Sequence, residues 1–144
     1  MTATESYFIE DLKPGISASF GKTVTDADIV LFAGISGDTN PVHINQAYAE
    51  QTQFKGRIAH GMLSVGFISA VLGTKLPGPG SIYMSQTLRF KAPVKVGDTV
   101  TATCTVTEVI PEKRRAVLST ICKVGDTVVI EGEAMVMVPS RAQK

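Results

Sequence analysis

Residues 61–76 read Gly-Met-Leu-Ser-Val-Gly-Phe-Ile-Ser-Ala-Val-Leu-Gly-Thr-Lys-Leu. Wound at 3.6 residues per turn, this stretch is apolar around almost its whole circumference, as a helix enclosed by other structure must be. Its apolar run, residues 62–72, is broken by Ser64, Gly66 and Ser69 and falls well short of the ~20 residues that span a bilayer. The reading is therefore a buried helix and not a membrane anchor. Gly66, Ser69 and Gly73 recur at i, i+3 and i+7, so one face carries only small side chains and invites close approach by another helix or a partner subunit.

Something must wrap this helix, and the sequence after it supplies strands. Beyond Pro77-Gly78-Pro79-Gly80, runs rich in Val, Thr and Ile occupy residues 81–90, 99–110, 114–124 and 127–138. Gly97-Asp98, Pro111-Glu112 and Gly125-Asp126 punctuate them. Short connections between consecutive strands favour an antiparallel meander that curls around the helix. The expected fold class is α+β, an antiparallel sheet around a central buried α-helix, with residues 1–144 forming a single domain. Before the helix, residues 16–24 suit a short strand. Thr25 with Asp28 three residues later is a capping box opening a helix that ends near residues 34–37, and a short helix is expected over residues 45–51.

Composition narrows the function. Fourteen Lys and Arg against thirteen Asp and Glu give a net charge of +1, so nucleic acid is not the expected partner. A hydrophobic share of 44% argues against disorder. The first residues carry Glu5, Glu10 and Asp11 and no apolar core with basic flanks, so no leader peptide is expected. Cys104 and Cys122 lack CxxC spacing and are expected to be reduced, structural thiols of a cytoplasmic protein. Residues 140–144 read as a frayed tail.

The segment Gly37-Asp38-Thr39-Asn40-Pro41-Val42-His43 places an acid and an imidazole in a loop between helices. On an unbroken helix Asp38 and His43 would stand about 140° apart, but Asn40-Pro41 breaks the helix and lets both aim at one point. An imidazole accepts a proton near neutral pH, and a neighbouring carboxylate orients it or holds a water beside it. From the residues alone, a turn-capping Asp38 and a structural His43 are the more frequent explanation of such a pair. No metal is assigned, because the sequence shows no HxxxH and no compact carboxylate cluster, and His60 is read as structural. Gly61 opens the buried helix, where backbone N–H groups and the positive end of the helix dipole offer a site for an oxyanion. Arg89 and Lys91 alternate with Leu88 and Phe90, so the basic pair is expected toward solvent and the apolar pair toward the core.

Together, Gly37-Asp38-Thr39-Asn40-Pro41-Val42-His43, Ile58-Ala59-His60-Gly61-Met62, Leu88-Arg89-Phe90-Lys91-Ala92-Pro93-Val94 and Gly97-Asp98 resemble the MaoC-like (R)-specific enoyl-CoA hydratases. The resemblance runs from about residue 12 to residue 138, and Asp-x-Asn-Pro-x-His is its specific element. It implies a hot-dog fold, usually a homodimer, that adds water to a trans-2-enoyl-CoA to give the (R)-3-hydroxyacyl-CoA. It aligns Asp38 and His43 with the family's catalytic pair, Gly61 with an oxyanion donor, and Ser69 and Leu72 with acyl-pocket positions. Arg89 and Lys91 are candidates to meet the phosphates of coenzyme A. No organic or metal cofactor is required, and the pathway implied links fatty-acid β-oxidation to polyhydroxyalkanoate monomer supply. Three rivals stay open: dehydration of a 3-hydroxyacyl group on acyl carrier protein, a thioesterase, and a non-catalytic acyl-thioester-binding domain.

Overall fold

The computed structural model describes residues 6–142. Strand β1 (Ser17–Thr23) leads to helix α1 (Asp26–Ser36), two short helices α2 (Pro41–Ile44) and α3 (Gln46–Glu50), and the long helix α4 (Gly61–Thr74). Strands β2 (Ile82–Phe90), β3 (Thr99–Ile110), β4 (Arg115–Val124) and β5 (Thr127–Met137) follow.

Local signals set α1. The Thr25 side chain accepts from the Asp28 N–H while the Asp28 carboxylate accepts from the Thr25 N–H, so both partners of the box are made. Gly37 ends the helix in the left-handed region at φ 79°, a conformation that a glycine adopts without Cβ strain.

All five strands form one antiparallel sheet in the order β1-β3-β4-β5-β2. Alternate residues of β3, β4 and β5, including Val100, Ala102, Cys104, Val106, Leu118, Cys122, Ile130 and Ala134, turn inward onto Val65, Phe67, Ile68, Val71 and Leu72 of α4. Burying each Val, Leu, Ile or Phe side chain of this helix-on-sheet contact contributes on the order of 1.5–3 kcal/mol.

Three expectations are corrected. The meander holds only for β3-β4-β5, because β2 pairs with β5 and not with β3. Residues 91–98 cross from one edge of the sheet to the other. Lys95 bridges to Ile58, the Ala59 N–H donates to the Val94 carbonyl, and residues 97 and 98 exchange backbone bonds with Val24 beside β1. Second, the sheet covers one side of α4 only. Met62, Gly66, Ser69 and Gly73 remain exposed, and no other atom lies near the positions that side chains at Gly66 and Gly73 would take. Third, the described part of the tail is tied down. The Arg141 guanidinium makes two hydrogen bonds to Asp11, at 2.6 and 2.9 Å, and lies over the Phe8 ring. The Ser140 hydroxyl donates to Glu10. Residues 1–5 and 143–144, which carry the rest of the leader and tail readings, lie outside the described residues.

Candidate active site

Asn40 turns the chain. Its side-chain oxygen accepts the Val42 N–H, and Pro41, whose missing N–H costs nothing at a first helical position, starts α2. His43 thus sits in a one-turn helix and not in the expected loop, and the helix delivers its ring to the interior, 8% exposed. His43 Nδ1 lies 2.8 Å from the Ile58 carbonyl oxygen. A carbonyl can only accept, so Nδ1 carries a proton, and in the neutral ring Nε2 keeps a free lone pair. The Arg57 Nε–H donates to the His43 carbonyl at 2.6 Å, and the Arg57 guanidinium pairs with Asp26 at 2.6 Å, anchoring α2 to α1.

Asp38 follows the Gly37 cap and stays exposed. Its N–H donates to Ser36 Oγ, its Oδ1 accepts the Asn40 N–H at 3.3 Å, and its backbone carbonyl accepts from His60 Nε2 at 2.9 Å. His60 is 2% exposed and stacks on His43 with ring centroids 3.9 Å apart and planes 28° apart; the Phe32 ring also packs on it, tilted by 55° with centroids 4.8 Å apart.

A carboxylate oxygen of Asp38 and a ring nitrogen each of His43 and His60 therefore lie within 4.8 Å of one another. This compact group sets His60, read from the sequence as structural, beside the expected Asp38 and His43 pair. The stacked arrangement does not suit a shared metal ion. A metal lies in the plane of each imidazole that binds it, about 2.0–2.1 Å from the nitrogen, and two nearly parallel stacked rings do not bring their lone pairs to one such point.

Behind the histidines is a cavity of about 340 Å³. Its polar wall holds His43, His60, Gly61, Ser64 and Lys91, and its apolar wall includes Phe54, Phe90, Val94 and Ile130. No side chain caps the start of α4, so the Gly61 and Met62 N–H groups are free to meet a ligand, whereas the Leu63 N–H turns back on the His60 carbonyl. Gly61 has a steric reason to be glycine, because a Cβ there would fall 2.5 Å from Phe90 Cε1.

The other expected residues are distributed differently. Lys91 lines the cavity and pairs with Glu131 at 3.5 Å, whereas Arg89 lies in a neighbouring groove with Thr87, Ser119 and Glu131. Phe90 does not face the core. It is 54% exposed because β2 is an edge strand whose last residue leans over the cavity. Leu72 is buried in the core and Ser69 is exposed, and neither lines the cavity. Ser64 and Phe54, which the sequence reading passed over, do line it. The apolar run around Ser64 concealed it, since a lone serine in a buried helix carries no signal of its own.

Among the described residues no helix is long and apolar enough to cross a membrane. Comparison with known proteins matches residues 12–132 to the family described as "MaoC like domain". The chain is 64% identical to an (R)-specific enoyl-CoA hydratase of Rhodospirillum rubrum, over 94% of each chain. It is 51% identical to a 3-hydroxybutyryl-CoA dehydratase of Methylorubrum extorquens, over 94% of this chain and 87% of that one. Among solved structures, an (R)-hydratase from Aeromonas caviae involved in PHA biosynthesis superposes with a TM-score of 0.88 at 42% identity, covering 90% of this chain and 99% of that one.

Proposed function

The chain belongs to the MaoC-like domain family, and from that membership we propose that it is an (R)-specific enoyl-CoA hydratase, a lyase with the hot-dog fold. It hydrates trans-2-enoyl-CoA to (R)-3-hydroxyacyl-CoA and connects β-oxidation to polyhydroxyalkanoate monomers. One observation carries the site assignment: the bond from His43 Nδ1 to the Ile58 carbonyl leaves Nε2 as the ring's free nitrogen, while the Asp38 carboxylate stands beside the same pair of rings.

In this reading Asp38 and His43 hold one water and take its proton as its oxygen bonds carbon 3. The π electrons of the C2–C3 bond move toward the thioester oxygen, which the Gly61 N–H receives at the positive end of α4. Collapse of the enolate then takes a proton onto carbon 2 from the same pair, so the pair ends as it began. No cofactor enters this scheme. Lys91 and Arg89, both beside Glu131, are assigned to the CoA phosphates.

We read the assembly as a homodimer. Supporting this are the edge position of β2, its exposed Ile82, Tyr83 and Met84, and the exposed small-residue face of α4. The cytoplasm is the compartment assigned, supported by the unpaired thiols of Cys104 and Cys122.

The test is loss of enoyl-thioester absorbance from crotonyl-CoA with the purified protein, followed by product stereochemistry and an Asp38→Asn control. Asp38-dependent formation of the (R)-3-hydroxy product is expected. Turnover only of carrier-protein thioesters, release of free thiol, or binding without turnover would each overturn the hydratase reading.

A further inference from the structure

Ser64 stands one turn into α4, three residues after Gly61, and the two therefore share a helix face. Side chains on a helix lean toward its N-terminus, so the Ser64 hydroxyl is carried back toward the first turn, where the free N–H groups are. The residue is 1% exposed, its Oγ has no hydrogen-bond partner, and it lines the cavity shared by His43, His60 and Gly61.

A hydroxyl inside a helix commonly turns back on the carbonyl four residues earlier. Ser36 does so on Phe32 and Thr74 on Ala70, each at 2.6 Å. Ser64 does not, and the carbonyl that would serve it, that of His60, accepts the Leu63 N–H instead. A buried hydroxyl without a partner is a cost to the fold, and such a cost at a cavity wall is explained by a ligand atom that meets it. Of the side chains lining the same cavity, Phe90, Val94 and Ile130 offer no acceptor, and the free Nδ1 of His60 makes no bond to the Ser64 hydroxyl.

We propose that Ser64 Oγ is a second hydrogen-bond donor to the thioester carbonyl oxygen, acting beside the Gly61 N–H. The inference deepens the hydratase reading and rests on it. The Ser64 proton stays on the serine throughout. Its hydrogen bond shortens as negative charge gathers on the thioester oxygen during attack at carbon 3, and relaxes when carbon 2 is protonated. Because the charge exists only along the reaction path, the contribution falls on turnover more than on binding.

Two measurements test this. In steady-state hydration of crotonyl-CoA, Ser64→Ala is expected to lower kcat about 100-fold, the low end for loss of one oxyanion donor, with KM changed by less than about threefold. The thermal midpoint should equal or exceed that of the wild type, since a methyl group replaces an unpaired hydroxyl. Ser64→Cys, similar in size and a weak donor, should fall between. A kcat within twofold of the wild type overturns the proposal. So does a loss of turnover matched by a lower thermal midpoint, which would mean that the hydroxyl serves the fold, for example through the free Nδ1 of His60.

The second measurement does not need turnover. Isotope-edited infrared spectra of carbonyl-labelled crotonyl-CoA are compared when bound to Asp38→Asn and to Asp38→Asn/Ser64→Ala. A higher carbonyl frequency in the double variant is expected, and equal frequencies overturn the proposal even if the protein proves to bind thioesters without hydrating them.

Discussion

His43 and His60 stack face to face with centroids 3.9 Å apart, and each ring gives its one proton to a backbone carbonyl of the other's segment. His43 Nδ1–H goes to Ile58, and His60 Nε2–H goes to Asp38. The bonds run in opposite directions across the stack, so the segment bearing Asp38 and His43 and the segment opening α4 hold each other in register. The same bonds choose complementary tautomers, leaving Nε2 free on His43 and Nδ1 free on His60.

Replacing His60 with Phe keeps the stacking face and removes the bond to the Asp38 carbonyl. The expected result is a kcat lowered about tenfold or more, because a misplacement of about 1 Å in a reacting group can cost 10²-fold. KM for crotonyl-CoA should change little, and steady-state kinetics check both.

Asp38→Asn should lower kcat/KM by about 10²–10⁴-fold, the usual range for loss of a general acid–base group. Asp38 is exposed, so stability should shift by no more than about 0.5 kcal/mol. Denaturant unfolding alongside the kinetics separates the two effects, and a variant retaining most of its turnover would remove Asp38 from the mechanism.

Gly61→Ala sets a methyl group against the Phe90 ring, 2.5 and 2.6 Å from two of its carbons. Phe90 is half-exposed and can swing aside, so the thermal midpoint should fall only modestly while turnover falls sharply. Adding Phe90→Ala should restore the midpoint and not the turnover, because the methyl group still stands where the thioester oxygen approaches the backbone.

Burial pushes the Cys104 thiol up to about 12, with the neighbouring Cys122 adding to the shift, and burial pushes Cys122 up to about 11. Unfolded thiols ionise near 8.5, so the native state binds more protons above that pH. The stability this represents is complete below about pH 8.5 and is lost as pH rises toward 11–12. Urea unfolding should show stability declining from pH 8 to 10 by on the order of 1 kcal/mol per thiol, with a flatter profile in a Cys104→Ala/Cys122→Ala variant. Iodoacetamide should leave both thiols unmodified in native protein at pH 8.

What the sequence determined by itself was whatever depends on near neighbours. The Thr25–Asp28 box, the Gly37 stop, the ends of β3 at Thr99 and Ile110, and the chain reversal at Asn40-Pro41 are all decided within a few residues by caps, left-handed turns and proline. The Asp38 and His43 pair was legible for the same reason, with the family resemblance choosing between its two readings. Tertiary structure alone decided that β2 leaves the meander to pair with β5. It also set His60 on His43, exposed Phe90 over Gly61, and turned Ser64 into the cavity. Each of these joins residues far apart in the chain, through strand pairing or ring contact, and β-strand propensity is nearly silent about which edge a strand will meet. A strand knows its two faces from its own alternation, but its partner is chosen by the helix and the crossing segment that fill the space between.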